Sequence, residues 1–244
     1  MRADEVIGQE PRQYPNTLTA QDDLKRAAAE KALELVRDGM LLGLGSGSTM
    51  RYFTEGVGRL VAQGMNVRGV PTSRATAELA AAGGIAVVEE LVGQIDLAVD
   101  GADEVDGNLD LIKGRGGALF REKLVAAAAK RFVVLVDESK LVERIGAGVL
   151  PVEVLPFLWR TTAERLAELC SGLKVRGGEA EPYLTDNGNL ILDLSFEDGI
   201  PDAPALGKSL KAVTGVVEHG LFIGMTGECI VGGPRGPRVL SRPI

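Results

Sequence analysis

The chain has 244 residues, of which 45% are apolar and 25% charged, the balance of a globular protein with a buried core. Its net charge of −7 leaves no basic surface of the kind that nucleic-acid binding uses, and aromatic residues at 4% argue against a surface that stacks bases. An uninterrupted apolar stretch of about 18 residues and a signal-peptide pattern are both missing. We therefore expect a cytoplasmic protein that binds neither nucleic acid nor membrane.

The two cysteines support the same compartment. Cys170 ends an apolar helical pattern and Cys229 lies beside two apolar residues, so both are interpreted as buried thiols. A disulfide between them is the alternative that the sequence leaves open. A reducing compartment is the favoured interpretation.

The predicted elements begin after a leader. Residues 1–18 mix prolines and charges without a period, which predicts disorder. A helix then follows Thr19 as its N-cap and stops at Gly39. Apolar residues recur along it at helical spacing: Leu24, Ala28, Ala32 and Leu35.

Short apolar runs then alternate with helical patterns, which indicates βαβ units and a mostly parallel sheet. The run at 132–136 is apolar throughout, as expected for a strand that is buried on both faces. The predicted strands are 40–44, 67–70, 85–88, 95–99 and 132–136, and the predicted helices are 74–82 and 118–130.

After about Gly148 the order changes to strand-helix-strand-strand-helix-strand, which is the ferredoxin-like order. The predicted strands are 152–155, 174–176, 189–195 and 216–223, with helices at 161–170 and 205–212. We expect an α/β fold: a Rossmann-like, mostly parallel sheet domain (19–146 plus 219–244) with a second, smaller ferredoxin-like α+β domain (147–218).

The first candidate motif is the glycine-rich segment 43–49, between a predicted strand and a helix. It lacks the lysine of a Walker A loop and the third glycine of a dinucleotide fingerprint. A tight turn that merely needs small residues is the alternative. Three hydroxyls in four positions, Ser46, Ser48 and Thr49, favour a cradle for phosphate or sugar hydroxyls.

The second motif is the acidic segment 100–106, which follows the strand 95–99. The carboxyl ends of parallel strands are where open α/β sheets bind ligands, so Asp100 and Asp103 are candidates for a shared crevice. Glu104 and Asp106 are interpreted as a solvated acidic turn. A calcium loop is excluded, because its ligand spacing does not fit.

The third motif is the glycine turn 113–117 with the helix after it. Lys113 can stabilise an oxyanion or a phosphate, and Glu122 can point back at whatever the turn binds. Favourable placement near a helix start is the alternative role for Glu122. Lys140 follows the strand 132–136 and can reach the same crevice.

His219, the sole histidine, is expected to pack or cap rather than catalyse, and zinc-ligand spacing is missing.

Taken in order, these segments resemble type A ribose-5-phosphate isomerases, from about Asp23 to the C-terminus. The segments 185–189 and 215–217 also look like family segments. The resemblance implies that Glu122 is the general base, that Asp100 and Asp103 are active-site carboxylates, and that Lys113 lies beside the reacting oxygens. The substrate-binding positions that it implies are Lys25, Ser46, Gly47, Ser48, Thr49, Asp100, Gly101, Ala102, Asp103, Lys113, Gly114, Arg115, Gly116 and Lys140.

Two positions depart from the family pattern. Ser46 stands where Thr is frequent, which keeps the hydroxyl, and Arg115 stands where a small or apolar residue is common. The resemblance implies interconversion of D-ribose 5-phosphate and D-ribulose 5-phosphate through an enediolate, in the non-oxidative pentose phosphate pathway. It further implies no metal or organic cofactor, and a homodimer or homotetramer.

Two other functions fit the sequence less well. A sugar-phosphate-sensing domain of a regulator would need an attached output domain, and residues 1–18 are too short for a helix-turn-helix. An amino-sugar phosphate deaminase or a lactonase is harder to reconcile with a single histidine that lies outside the glycine turns.

Overall fold

A computed structural model describes residues 20–90 and 93–242. The predicted leader 1–18 and the predicted cap Thr19 lie outside the described residues. Six α-helices occur in the part that is described: α1 (Ala20–Leu33), α2 (Ser48–Ala62), α3 (Arg74–Ala82), α4 (Leu119–Ala127), α5 (Trp159–Ala167) and α6 (Ala203–Ala212).

The same residues form fourteen strands and a short 3₁₀ helix (Glu138–Lys140). The strands are β1 (Leu41–Leu44), β2 (Arg68–Pro71), β3 (Ala86–Val87), β4 (Leu97–Gly101), β5 (Glu104–Val105), β6 (Leu111–Ile112), β7 (Phe132–Asp137), β8 (Leu150–Val154), β9 (Gly172–Val175), β10 (Leu190–Ser195), β11 (Val216–His219), β12 (Leu221–Phe222), β13 (Glu228–Gly232) and β14 (Arg238–Ser241).

The large sheet has seven strands in the order β14-β13-β7-β4-β1-β2-β3. Its pairs are parallel except β13 with β14. Every residue of β1 and β7 is buried, because helices and short strands cover both faces of the sheet. The predicted mostly parallel sheet is confirmed, and its strand order reverses between β1 and β4.

The smaller sheet has the order β11-β8-β10-β9 with antiparallel pairs. Numbered within this unit, the order is 4-1-3-2, and helices α5 and α6 fill the two crossovers. This is the ferredoxin-like arrangement that the element order predicted. Its core is a separate apolar cluster that includes Val152, Leu192 and Leu210. The domain boundaries near 147 and 218 stay a prediction.

The predicted single strand 216–223 is wrong. The chain breaks at Gly220, after which β12 joins β6 and β5 in a three-stranded sheet. Gly220 donates its N–H to the carbonyl of Pro151 and accepts from the N–H of Lys113. A Cβ at Gly220 would overlap the carbonyl oxygen of Lys113, so the crossing between the two sheets requires glycine here.

Three predicted helices end earlier than expected, and one of them, α5, ends at Ala167 rather than Cys170. For the other two, α1 and α4, distant backbone contacts lie just after the helix. Helix α1 ends at Leu33, six residues before Gly39, whose N–H donates to the carbonyl of Asn66. Helix α4 ends at Ala127 because the backbone at 128–130 exchanges hydrogen bonds with Ile95. Of the described helices, none is long and apolar enough to cross a membrane.

Candidate active site

The candidate site lies at the carboxyl ends of β1 and β4, where the strand order reverses. Such a reversal opens a crevice above a parallel sheet, because the flanking connections run to opposite sides. The N–H of Gly45, just after β1, donates to the carbonyl of Val99 in β4. The glycine-rich segment 43–49 and the acidic segment 100–106 therefore meet at this edge.

Asp100 lies between the two segments, and only 3% of the residue is exposed. Its Oδ1 accepts from the N–H of Ser46 at 3.1 Å and of Gly101 at 2.7 Å. Its Oδ2 lies 3.1 Å from the ammonium nitrogen of Lys113. A Cβ on Gly45 would overlap the Asp100 carboxylate, so glycine at 45 permits the approach. Burial raises the pKa of Asp100, although Lys113 and the backbone donors oppose that effect.

Lys113 follows β6 and is 2% exposed. Its ammonium donates to the carbonyl of Gly101 and lies 3.5 Å from Glu122 Oε1, in addition to its ion pair with Asp100. Burial alone would lower the pKa of Lys113, but the charges of Asp100 and Glu122 outweigh burial and raise it. The site therefore holds a buried ammonium that stays charged between two carboxyl groups.

Glu122 lies in the first turn of α4 and is 6% exposed. Its Oε2 is buried and has no hydrogen-bond partner among the described residues. Burial raises the pKa of Glu122 to about 8; Lys113 acts against this shift, and the charges of Asp100 and Asp103 add to it. Such a carboxyl group, with one oxygen free and a pKa near neutrality, suits proton transfer.

Asp103 holds the glycine turn that follows Lys113. Its Oδ2 accepts from the N–H of Arg115 at 2.9 Å. Gly114 has a φ of +96°, and a Cβ there would overlap the side chain of Leu119, so the turn needs glycine at that position. Ala102 is half-buried beside the two aspartates, and Gly116 is exposed at the tip of the turn.

The expectation that Glu104 is solvated is wrong, since its side chain is 3% exposed in the interior. Its carboxylate accepts from the N–H groups of Gly146 and Gly148 at 2.6 and 2.7 Å and forms an ion pair with the Arg115 guanidinium. Burial would raise the pKa of Glu104, but these partners together lower it. The Arg115 side chain thus contacts Glu104 and the carbonyl of Val149.

Asp106 also differs from a freely solvated residue. Its Oδ1 accepts from the N–H groups of Asn108 and Asp110, both at 2.9 Å. These bonds close the turn between β5 and β6, in which Leu109 has a φ of 57°. The acidic segment is therefore a structural turn as well as a source of site carboxylates.

The segment 43–49 ends in the start of α2. Helix α2 begins at Ser48 after Gly47, which has a φ of 104° and provides no side-chain cap. Ser48 is exposed and Thr49 is half-buried. The uncapped first turn of a helix presents N–H groups and the positive end of its dipole, a suitable place for an anion.

A second group of hydroxyls, which sequence reasoning missed, lies against Ser46. The Ser46 Oγ is 2.7 Å from Thr72 Oγ1, 2.8 Å from Ser73 Oγ and 3.1 Å from Thr76 Oγ1. These three residues follow β2, the neighbour of β1. Their signal was available in the sequence, because hydroxyl residues directly after a parallel strand lie at the same edge as the site.

Lys25 and Lys140 lie on elements at the same edge. Lys140 ends the 3₁₀ helix that follows β7. Lys25 is on α1, its side chain is 15% exposed, and its nitrogen is 4.0 Å from Asp22. Gln21, one turn earlier, donates to Asp137 at the end of β7, which places the start of α1 at the carboxyl edge. Within residues 20–90 and 93–242, neither lysine forms a hydrogen bond with the segment 46–49.

His219 lies in β11, the edge strand of the smaller sheet. Its Nδ1 accepts from the N–H of Leu221, and burial, helped by the charge of Lys123, lowers its pKa to about 4. Among the described residues, no three histidine, cysteine or acidic side chains are placed together to hold a metal ion.

Comparisons with known proteins identify the family of the chain. The family model for ribose 5-phosphate isomerase A (phosphoriboisomerase A) matches residues 68–236. The chain is 49% identical over 217 residues to ribose-5-phosphate isomerase A 1 of Oceanobacillus iheyensis, which covers 88% of this chain and 96% of that protein. It is 46% identical over 233 residues to the probable ribose-5-phosphate isomerase 3, chloroplastic, of Arabidopsis thaliana, with 91% and 84% covered.

Comparison with solved structures identifies the same family. The ribose 5-phosphate isomerase A of Methanocaldococcus jannaschii superimposes with a TM-score of 0.85 at 41% identity, over 91% of this chain and all of that one. A D-ribose-5-phosphate isomerase in complex with phospho-erythronic acid has a TM-score of 0.88 at 40% identity, over 92% of this chain and 100% of the other. On sequence and structure alike, the chain belongs to the ribose 5-phosphate isomerase A family.

Proposed function

We propose that this chain interconverts D-ribose 5-phosphate and D-ribulose 5-phosphate. The observation that carries the proposal is the buried cluster in which the Lys113 ammonium lies 3.1 Å from Asp100 and 3.5 Å from Glu122. Isomerisation of an aldose to a ketose needs one group that moves a proton between neighbouring carbons. It also needs a positive group that stabilises the enediolate formed in between.

Glu122 is proposed as the group that moves the proton. It removes the proton from C2 of the open-chain aldose and returns it to C1, while the proton of the C2 hydroxyl passes to the oxygen on C1. A single carboxylate thus acts first as base and then as acid on the carbons. The raised pKa, about 8, brings the two forms of the carboxyl group close in energy, as two-way transfer requires. Its unpartnered Oε2 is free to take the proton.

Lys113 is proposed as the group that stabilises the enediolate oxygen. Its ammonium is buried, where electrostatic interactions are stronger than in water, and its position is fixed by Asp100 and the Gly101 carbonyl. Asp100 and Asp103 are proposed to exchange hydroxyl protons when the sugar ring opens. In addition, the Asp103 carboxylate accepts a hydrogen bond from the N–H of Arg115 and so stabilises the glycine turn.

The phosphate is proposed to bind at the uncapped start of α2, with Ser48, Thr49, Lys25 and Lys140 around it. The positive φ of Gly47 turns the backbone into this helix start. Ser46 lies just before this helix start, where its hydroxyl contacts Thr72 and Ser73 and its N–H donates to Asp100. Fixing the unreactive end of the substrate orients the reacting carbons toward Glu122.

An assay of ribose 5-phosphate conversion by the purified chain tests the proposal. The expected result is ketose formation, with exchange of the transferred hydrogen in D₂O. Release of ammonia from an amino-sugar phosphate, or hydrolysis of a lactone, in the absence of isomerisation would instead identify a different sugar-phosphate enzyme. Binding of the sugar phosphate without any turnover would identify a sensing domain.

We also propose a homodimer or homotetramer in a reducing compartment such as the cytoplasm. Large apolar side chains are exposed just after β8: Leu155 (50%), Phe157 (81%) and Leu158 (64%). Exposed neighbours of this kind are frequent at contacts between subunits. Both cysteines are free thiols, which agrees with a reducing compartment. Sedimentation equilibrium of the wild-type chain and of Phe157→Ser tests the oligomeric state.

A further inference from the structure

We propose that Arg176 is a positioning residue that orients the peptide between Arg115 and Gly116, so that the Gly116 N–H points into the crevice as a donor to a substrate oxygen. The inference rests on the proposed function and deepens it. It assigns a role in the site to the smaller sheet, which otherwise contributes no residue to the cluster of Lys113 and its carboxylates.

The guanidinium of Arg176 reaches the glycine turn through its carbonyl groups. Arg176 Nη1 donates to the carbonyl of Arg115 at 2.9 Å and to that of Gly114 at 3.3 Å. One nitrogen of a neighbouring sheet thus holds two successive carbonyls of the turn on the same side.

A planar trans peptide points its N–H opposite to its C=O. The carbonyl of Gly114 faces Arg176, and the N–H of the same peptide, on Arg115, donates to Asp103 Oδ2 on the other side. The carbonyl of Arg115 faces Arg176 as well, so the Gly116 N–H must point toward the side of Asp103. Two successive N–H groups that face one side form an anion-binding concavity.

The Gly116 N–H is available to a ligand. Gly116 is exposed, and its N–H has no hydrogen-bond acceptor among the described residues. The neighbouring Arg115 N–H is already taken by Asp103. The turn therefore offers one free donor beside the site carboxylates, and the direction of that donor depends on Arg176.

Arg176 is itself held rigidly. Its Nε donates to Asp193 Oδ2 at 2.9 Å and its Nη2 to Asp193 Oδ1. This bidentate pair joins the residue after β9 to the neighbouring strand β10, and both side chains are 17% exposed. The guanidinium also lies 6.0 Å from the ring centre of Tyr183, whose hydroxyl packs against Gly117. A fork fixed on one side by a carboxylate can hold two carbonyls on the other, which a lysine ammonium cannot reproduce.

The test uses the full chain and the variant Arg176→Lys, which keeps the charge and removes the fork. We expect kcat/KM for ribose 5-phosphate and affinity for phospho-erythronic acid each to fall about 10- to 100-fold, the scale of a misplaced donor. The matched control is Arg160→Lys, an exposed arginine that pairs with Glu179 on the same unit, and it should be unchanged. Melting temperatures confirm that each variant is folded; if Arg176→Lys unfolds, Asp193→Asn loosens the same guanidinium.

A double-mutant cycle shows whether Arg176 acts through the Gly116 N–H. Gly116→Pro removes the N–H, so adding Arg176→Lys to it should cause no further loss of affinity for phospho-erythronic acid. Unchanged affinity in folded Arg176→Lys, or losses that multiply fully in the double variant, would overturn the positioning role. These results are distinguishable from failure of the proposed function, in which the wild-type chain itself would not isomerise ribose 5-phosphate.

Discussion

Glu122 and Lys113 lie 3.5 Å apart in the interior, yet the second oxygen of Glu122 has no hydrogen-bond partner among the described residues. Burial of this oxygen makes the charged carboxylate costly, while the ammonium beside it keeps the charged form accessible. The pair therefore leaves Glu122 balanced between its protonated and ionised states.

Replacing Glu122 with glutamine should abolish proton transfer and leave binding almost unchanged. Glutamine keeps the shape and one acceptor but is not a base, so kcat should fall about 10²-fold or more. Steady-state kinetics with ribose 5-phosphate measures the effect. The control is Glu78→Gln on α3, an exposed glutamate away from the crevice. Full activity of Glu122→Gln would show that this carboxylate serves only the helix start.

Activity should rise with pH through the alkaline side of neutrality. Glu122 must be ionised to accept a proton, and burial raises its pKa to about 8, so kcat/KM should increase up to about pH 8 and then level off. The second ionisation of a phosphate group, near 6, lies well below this limb. A kcat/KM profile that stays flat between pH 6 and 9 would contradict the assignment.

Glu104→Gln should destabilise the protein rather than act as a neutral change. Glutamine cannot form the ion pair with Arg115 and leaves part of the N–H set at 146–148 without an acceptor. We expect the free energy of unfolding to fall by about 1–3 kcal/mol, measured by urea denaturation. Glu78→Gln, which is exposed, provides the reference. Equal stability of the two variants would mean that the buried carboxylate contributes nothing.

Free ribose should be a far poorer substrate than ribose 5-phosphate, with a lower kcat as well as a higher KM. The reason is that binding energy at the start of α2 orients the reacting carbons in the transition state. The comparison is made at saturating concentrations of both sugars. Similar kcat values would show that the helix start and its hydroxyls do not hold the phosphate.

Exhaustive chelation should leave the isomerase rate unchanged. The sequence has one histidine, and a lysine ammonium is proposed to stabilise the enediolate where other enzymes use a divalent ion. The rate is measured before and after dialysis against a chelator. A large loss that one divalent ion restores would replace this mechanism with a metal-assisted one.

The sequence predicted the elements whose causes are local. Strand β7 is an uninterrupted apolar run over 132–136, and helix α3 begins and ends where its cap residue and glycines indicate. The break at Gly220 and the end of α4 at Ala127 could not be predicted, because they depend on hydrogen bonds to Lys113 and to Ile95. Local pattern carries no information on such distant partners.

Among the site residues, too, those with local causes were predicted and those that depend on distant partners were not. Asp100 and Glu122 were candidates because their position relative to predicted strands and helices placed them at one edge. The partners of Glu104 are N–H groups more than 40 residues away, so a charge in an acidic run appeared solvated when it is buried. Arg176 escaped notice because its contacts are with carbonyl groups, which have no sequence signature.

The strand order also governs how the protein is made. Strand β13 pairs with β7 from Val133 to Asp137 and contacts α1, yet the chain of the smaller sheet is synthesised between β7 and β13. During translation the parallel sheet therefore remains incomplete, with one edge of β7 unpaired, until the smaller sheet and then β13 have been synthesised.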